Sequence, residues 1–181
     1  MISMGIDPGF SNTGWVILKK EKKTYETIDF GCIVTKPIKK VLRHGIRITD
    51  DDSRRAMEIS DHLIGLLRKK TPDVIGIETF SLRPKMGKAW KTAFGYAIAL
   101  CSSRIVNTTV LTFTPSDIKS FTGDKTASKK KVRESVTSLY LPKFDWSSVK
   151  EAHKEHIGDA CALSVMAAEQ FMEYRSKLGI K

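Results

Sequence analysis

The chain has 181 residues, 41% of them apolar and 28% charged. That is the composition of a folded protein, long enough for one domain (1–181) to bury a core without disulfides or structural metals. Lys and Arg total 31 against 20 Asp and Glu, a formal net charge of +11, which points to a polyanionic partner, nucleic acid before an anionic membrane. No apolar run approaches the roughly 18 residues of a spanning helix, and no basic-then-apolar signal segment opens the chain, so no membrane partner is expected. Cys32, Cys101 and Cys161 form no C-x-x-C pair and sit among apolar neighbours. They read as buried thiols of a reducing compartment, and a cytoplasmic, DNA-associated protein is the expectation.

The first stretch, residues 2–18, holds two β-prone apolar runs around a turn of Pro, Gly, Ser, Asn, Thr and Gly. It reads as a hairpin whose first strand ends on Asp7. Pro8 keeps Asp7 extended, and Gly9 and Gly14 leave room for a ligand to approach. An Asp that only opens a tight turn is the plainer reading of this stretch. Residues 24–35 alternate as a third strand, with Ile28, Phe30, Cys32 and Val34 on one face. A polar, basic connection over 36–55 follows, in which Asp52 or Ser53 is placed to cap the next helix. That helix carries Ala56, Ile59, Leu63, Leu66 and Leu67 at helical spacing and closes on Arg68, Lys69 and Lys70, cations suited to its dipole. A fourth strand, 74–77, leads directly into Glu78.

A loop over 79–88 contains Phe80 and Arg83. The spacing then predicts a helix over 89–103 with Trp90, Phe94, Ala97, Ile98 and Cys101 along one face, either core or contact surface. A fifth strand spans 110–113 and a short helix runs to Phe121. A Gly- and Lys-rich loop, 122–131, enters a helix striped by Val132, Val136, Leu139 and Tyr140. The last helix is expected over 155–176. Three strands followed by β-α alternation give one α/β domain, a mixed five-stranded sheet flanked by helices.

Asp7 and Glu78 each follow a strand apolar enough to be central, and parallel neighbours would bring both to one rim of the sheet. His156 and Asp159, three apart on the last helix, share a face. Small residues around Asp159 let that face pack closely on the sheet, where an unpaired carboxylate is costly. A metal ion shared with Asp7 and Glu78 removes that cost. Three carboxylates and an imidazole without Cys suit Mg²⁺, or Mn²⁺ in its place, better than zinc. Two such ions, roughly 3.5–4 Å apart, support phosphodiester hydrolysis. Taken singly, each of these four residues reads more simply as a turn, cap or structural residue; their joint placement on a basic chain argues for the metal site.

Lys125, Lys129, Lys130 and Lys131 can follow phosphates from a Gly-containing loop, each neutralised phosphate steepening the salt dependence of binding. Three lysines at a solvated helix start would face a positive dipole end, so phosphate contact is favoured. Phe80 beside Arg83 is either a stacking platform for a base or a core residue under the loop.

Gly5-Ile6-Asp7-Pro8-Gly9 with Thr13-Gly14-Trp15, then Gly31-Cys32-Ile33 with Thr35-Lys36, Ile77-Glu78, and Asp159-Ala160-Cys161-Ala162-Leu163 together resemble the RuvC-type Holliday junction resolvases of the ribonuclease H-like superfamily. The resemblance spans nearly the whole chain in order. It implies a homodimer that binds four-way DNA junctions and nicks two strands of like polarity with Mg²⁺. The family's acidic positions fall on Asp7, Glu78, Asp159 and position 156, where this chain has His and many members have Asp. Its stacking aromatic falls one residue beyond Phe80, and its basic positions fall near Lys119 and on Lys129 or Lys130. Two other readings compete: a non-cleaving protein that binds branched DNA, needing the lysines but not the carboxylates, and an actin-like ATP-binding module using the 7–14 turn as a phosphate cradle.

Overall fold

The computed structural model describes residues 1–39, 45–80 and 89–180. Five strands, β1 (Ile2–Pro8), β2 (Asn12–Lys20), β3 (Tyr25–Val34), β4 (Val74–Glu78) and β5 (Thr109–Phe113), form one sheet in the order β3-β2-β1-β4-β5. β1 to β3 are antiparallel, joined by short polar turns, whereas β1, β4 and β5 run parallel. This is the mixed five-stranded sheet expected. β1 lies at its centre, which is why its run of Ser3 to Asp7 is buried throughout.

Helices cover both faces. α1 (Ile48–Lys70) and α2 (Ala89–Ile105) pack on one side, where Ile59, Leu63 and Leu67 meet Met4, Ile6, Ile17 and Ile75. On the other lie α3 (Pro115–Phe121), α4 (Lys129–Tyr140) and the long α5 (Lys154–Lys177). α5 sits directly on the sheet. A Cβ at Gly5 would collide with the backbone of Ala160, and one at Gly14 with the backbone of His156. The residues from Ile157 to Ala168 are buried all round as a result.

Several elements depart from the sequence reading. α1 starts at Ile48, so Asp52 and Ser53 do not cap it; the N-cap position is Arg47. Asp51, Asp52 and Arg55 are buried within the helix instead. Arg55 pairs with Asp52 at 3.1 Å, donates to Thr35 Oγ1, Ser11 Oγ and the Phe10 carbonyl, and lies 4.4 Å from the Phe10 ring centre. This guanidinium ties the β1–β2 turn, the end of β3 and α1 together. The β3 stripe is only half covered, because β3 is an edge strand and its pairing with β2 slips at Ile17/Leu18. Tyr25 and Ile33 are its buried apolar residues, while Ile28 and Val34 are exposed.

The apolar stripe expected on α2 points mostly outward, with Ile98 alone of its residues packed partly against the core. Gly95 and Ala99 face the sheet, and a Cβ at Gly95 would strike the Pro8 carbonyl. Trp90, Phe94 and Cys101 are exposed, so Cys101 is not the buried thiol expected. Leu139 of α4 is likewise exposed, with Val132 and Val136 forming the buried stripe. Among the described residues, no helix is long and apolar enough to cross a membrane.

Candidate active site

β1 and β4 are parallel neighbours with Ile6 opposite Ile77, so the next residues, Asp7 and Glu78, emerge side by side at the same rim. α5 crosses above them because glycines in the sheet remove the bulk that would hold it away. His156 and Asp159, one turn apart on α5, therefore stand over the same rim. The imidazole Nδ1 lies 2.6 Å from Asp7 Oδ2. With the ring N–H donating to the carboxylate oxygen, Nε2 is left for another partner.

The acids stand close enough to perturb one another. Burial, then the charges of Asp7 and Asp159, push the Glu78 carboxyl up to about 8, and it also shares a hydrogen bond with Asp7. Burial raises Asp159 to about 6, opposed by Lys129 and reinforced by Asp7 and Glu155. The hydrogen bond to Asp7 holds His156 above its usual value despite partial burial. These are carboxylates crowded out of water and awaiting positive charge.

Part of that charge comes from Lys129. It does not lie on a loop: it is the first residue of α4, whose N-cap Ser128 accepts a hydrogen bond from the Lys131 amide. Its Nζ stands 2.9 Å from Asp159 Oδ2 and 2.6 Å from Glu155 Oε1. Lys131 pairs with Asp124 at 2.6 Å, and Lys130, mostly exposed, makes only a loose 3.8 Å pair with Glu134. The three lysines thus do occupy a helix start, tolerated there because Asp124, Glu155 and Asp159 offset the dipole. Lys125 is exposed, and Lys119 is half-buried on α3. The Phe80 ring packs on Tyr96 of α2, centroids 5.6 Å apart. Arg83 lies outside the described residues.

Neither Lys129 beside Asp159 nor Glu155 behind it was expected at the carboxylates. The only sequence signal was position: Glu155 precedes His156, and Lys129 begins an amphipathic helix. The 7–14 turn, the cradle of the ATP-binding reading, spends its hydroxyls internally. Thr13 Oγ1 donates to the Gly9 carbonyl and Ser11 Oγ accepts from the Arg55 guanidinium.

Among the described residues, no three His, Cys, Asp or Glu side chains are gathered tightly enough to surround one ion. The donor set nevertheless fits a hard divalent cation: three carboxylates and an imidazole on one rim. One of their oxygens, Asp159 Oδ2, is buried without a hydrogen bond of proper geometry, although Lys129 stands beside it. A buried carboxylate oxygen left so is what a cation would satisfy.

A family model described as crossover junction endodeoxyribonuclease RuvC matches residues 3–167, from β1 through the buried part of α5. The chain belongs to the RuvC family. The RuvC of Ruminiclostridium cellulolyticum is 28% identical over 150 residues, covering 80% of this chain and 84% of its own length. That of Caldicellulosiruptor saccharolyticus is 30% identical over 150 residues, covering 78% and 82%. In fold, the chain superposes on T. thermophilus RuvC in complex with a Holliday junction substrate with a TM-score of 0.73 at 16% identity, over 99% of this chain and 98% of that one. The RuvC motifs read from the sequence all lie in the matched region, and those at Asp7, Glu78 and Asp159 border the acidic rim.

Proposed function

We propose that this RuvC-family chain is one nuclease domain spanning 1–181, a structure-selective endodeoxyribonuclease that resolves four-way DNA junctions inside the cell. The observation that carries the reading is the convergence of Asp7, Glu78, His156 and Asp159 at a single rim of a strongly basic protein. Asp7, Glu78 and Asp159, with His156 Nε2, would hold two Mg²⁺ ions, or Mn²⁺ in their place. Such ions activate water and stabilise the leaving 3′ oxygen of a phosphodiester.

The chain's own groups supply the rest. Asp7 accepts the His156 N–H, which fixes the ring plane and leaves Nε2 unprotonated for another partner. Partial burial of Glu78 and burial of Asp159 strengthen the charge interactions at the rim. Lys125 and Lys130, at the entrance to α4, and Lys119 on α3 follow DNA phosphates; Phe80 and Arg83 are assigned to DNA contact.

The protein acts as a homodimer, because two like nicks require two such sites. The outward face of α2 supplies a contact for a second copy: Trp90 is 49% and Phe94 37% exposed, beside Met57 of α1 at 61%. Side chains of that size, standing in water next to an apolar groove lined by Ala97, Ile98 and Cys101, favour burial against an equally apolar partner.

The test is a synthetic four-way junction with Mg²⁺. Asp7→Asn should bind it in a gel shift as the wild type does and fail to nick it, since the basic surface persists while the rim loses a ligand. Undiminished nicking by Asp7→Asn would remove Asp7 from the site.

A further inference from the structure

Lys129 holds the position of a cation. Its stem rises from the first turn of α4, yet its ammonium reaches across to α5 and inserts between Asp159 and Glu155, 2.9 and 2.6 Å from their oxygens. The Asp159 side chain is 6% exposed, whereas that of Lys129 is 53% exposed. The carboxylate therefore cannot leave the site, but the lysine can. The pair is also geometrically imperfect, because Asp159 Oδ2 gains proximity to positive charge and no well-directed hydrogen bond. Burial works against the charge on Lys129, yet the fields of Asp159, Glu155 and Asp7 outweigh it and keep the amine protonated.

We propose that the Lys129 ammonium is the resident counter-ion of the acidic rim and that a divalent cation must displace it to reach Asp159. The inference rests on the metal-centre reading given above. A site with several carboxylates and no cation would be driven apart by like-charge repulsion or would take up protons. A flexible monovalent group solves this: it neutralises the rim when metal is absent and swings into solvent when a doubly charged ion offers Asp159 Oδ2 a direct bond. Glu155, 57% exposed, remains as the group to which the released ammonium stays tethered. Lys129 then lowers metal affinity instead of contributing to it. It acts as a competitor built into the chain, distinct from its neighbour Lys130, which points into solvent.

The experiment is a calorimetric titration of the whole metal-free protein with Mn²⁺ alone, without DNA, near pH 8. Lys129→Gln removes the ammonium and keeps a polar side chain of similar length at a half-exposed position, so folding is retained; its circular dichroism spectrum checks this. It should bind Mn²⁺ roughly three- to tenfold more tightly than the wild type, the range set by a partly exposed ion pair with one buried partner. Lys130→Gln, the same charge change one residue along, should match the wild type, as should Lys129→Arg. The midpoint of thermal unfolding supplies a second readout: metal-free Lys129→Gln should melt below the wild type, and saturating Mn²⁺ should close or reverse the gap. Unchanged or weaker Mn²⁺ binding by Lys129→Gln overturns the counter-ion role and leaves Lys129 as a DNA-facing lysine. Absence of Mn²⁺ binding by the wild type and by Lys129→Gln alike overturns the metal centre itself, and the competition with it.

Discussion

Replacing Glu78 by Gln should stabilise the metal-free protein, and by an amount that grows with pH. Glu78 is half-buried beside Asp7 and Asp159, and its carboxyl is pushed from 4.5 to about 8. Between those values the folded protein holds a proton that the unfolded chain has already lost. Stability therefore falls as pH rises through this window and levels off above the folded value. At about 1.4 kcal/mol per pH unit the loss is at most about 5 kcal/mol. Lys129 and small movements of the rim reduce it, so a difference on the order of 2–3 kcal/mol is expected. Gln keeps the shape and cannot ionise. Urea unfolding followed by far-UV circular dichroism, in chelator at pH 5, 6.5, 8 and 9, should show wild type and Glu78→Gln nearly equal at pH 5. They should diverge steadily up to pH 8 and run parallel above it. Contributions from Asp159 are present in both proteins and largely cancel. With saturating Mn²⁺ the divergence should shrink, because the ion binds the ionised folded state alone. A constant difference from pH 5 to 9 would refute the placement of Glu78 among buried like charges.

Three further outcomes are expected. His156, held above its usual value by Asp7, must lose its proton to bind metal through Nε2, so Mn²⁺ affinity of the wild type should fall on acidification more steeply than that of His156→Asn, by about one proton; equal slopes between pH 5.5 and 8.5 would remove the imidazole from the site. Phe94→Glu should convert a dimer into a monomer in sedimentation equilibrium without changing the circular dichroism spectrum, since Phe94 is already exposed within one chain; an unaltered mass would place the dimer contact elsewhere. Lys125→Ala with Lys130→Ala should flatten the plot of log binding constant against log salt for junction DNA by about 1.8, from about 0.9 per phosphate released. No change in that slope would mean that neither lysine touches DNA.

Much of the molecule was readable along the chain. Asp7 and Glu78 each close an apolar strand run, and a residue at a strand's end has few places to be once the strand is central. Small residues around Asp159 signalled that α5 lies flat against the sheet, and Gly5 and Gly14 are the matching gaps on the other side. Order, element type and the acidic rim follow from such local patterns, because alternation and helical spacing are properties of neighbouring residues. Partner choice is not such a property. The α2 stripe was visible as apolar, yet only the docking of Gly95 on the Pro8 carbonyl decided that Trp90 and Phe94 face outward. Arg55 reads as one more surface cation, and only the convergence of Phe10, Ser11 and Thr35 around it creates a polar cavity that a buried guanidinium can fill. Lys129 looked like part of a phosphate-binding run until the packing of α4 on α5 set its ammonium against Asp159, 30 positions away. Electrostatic pairing falls steeply with distance in water and depends on which charges tertiary packing encloses together, and no pattern along the chain records that.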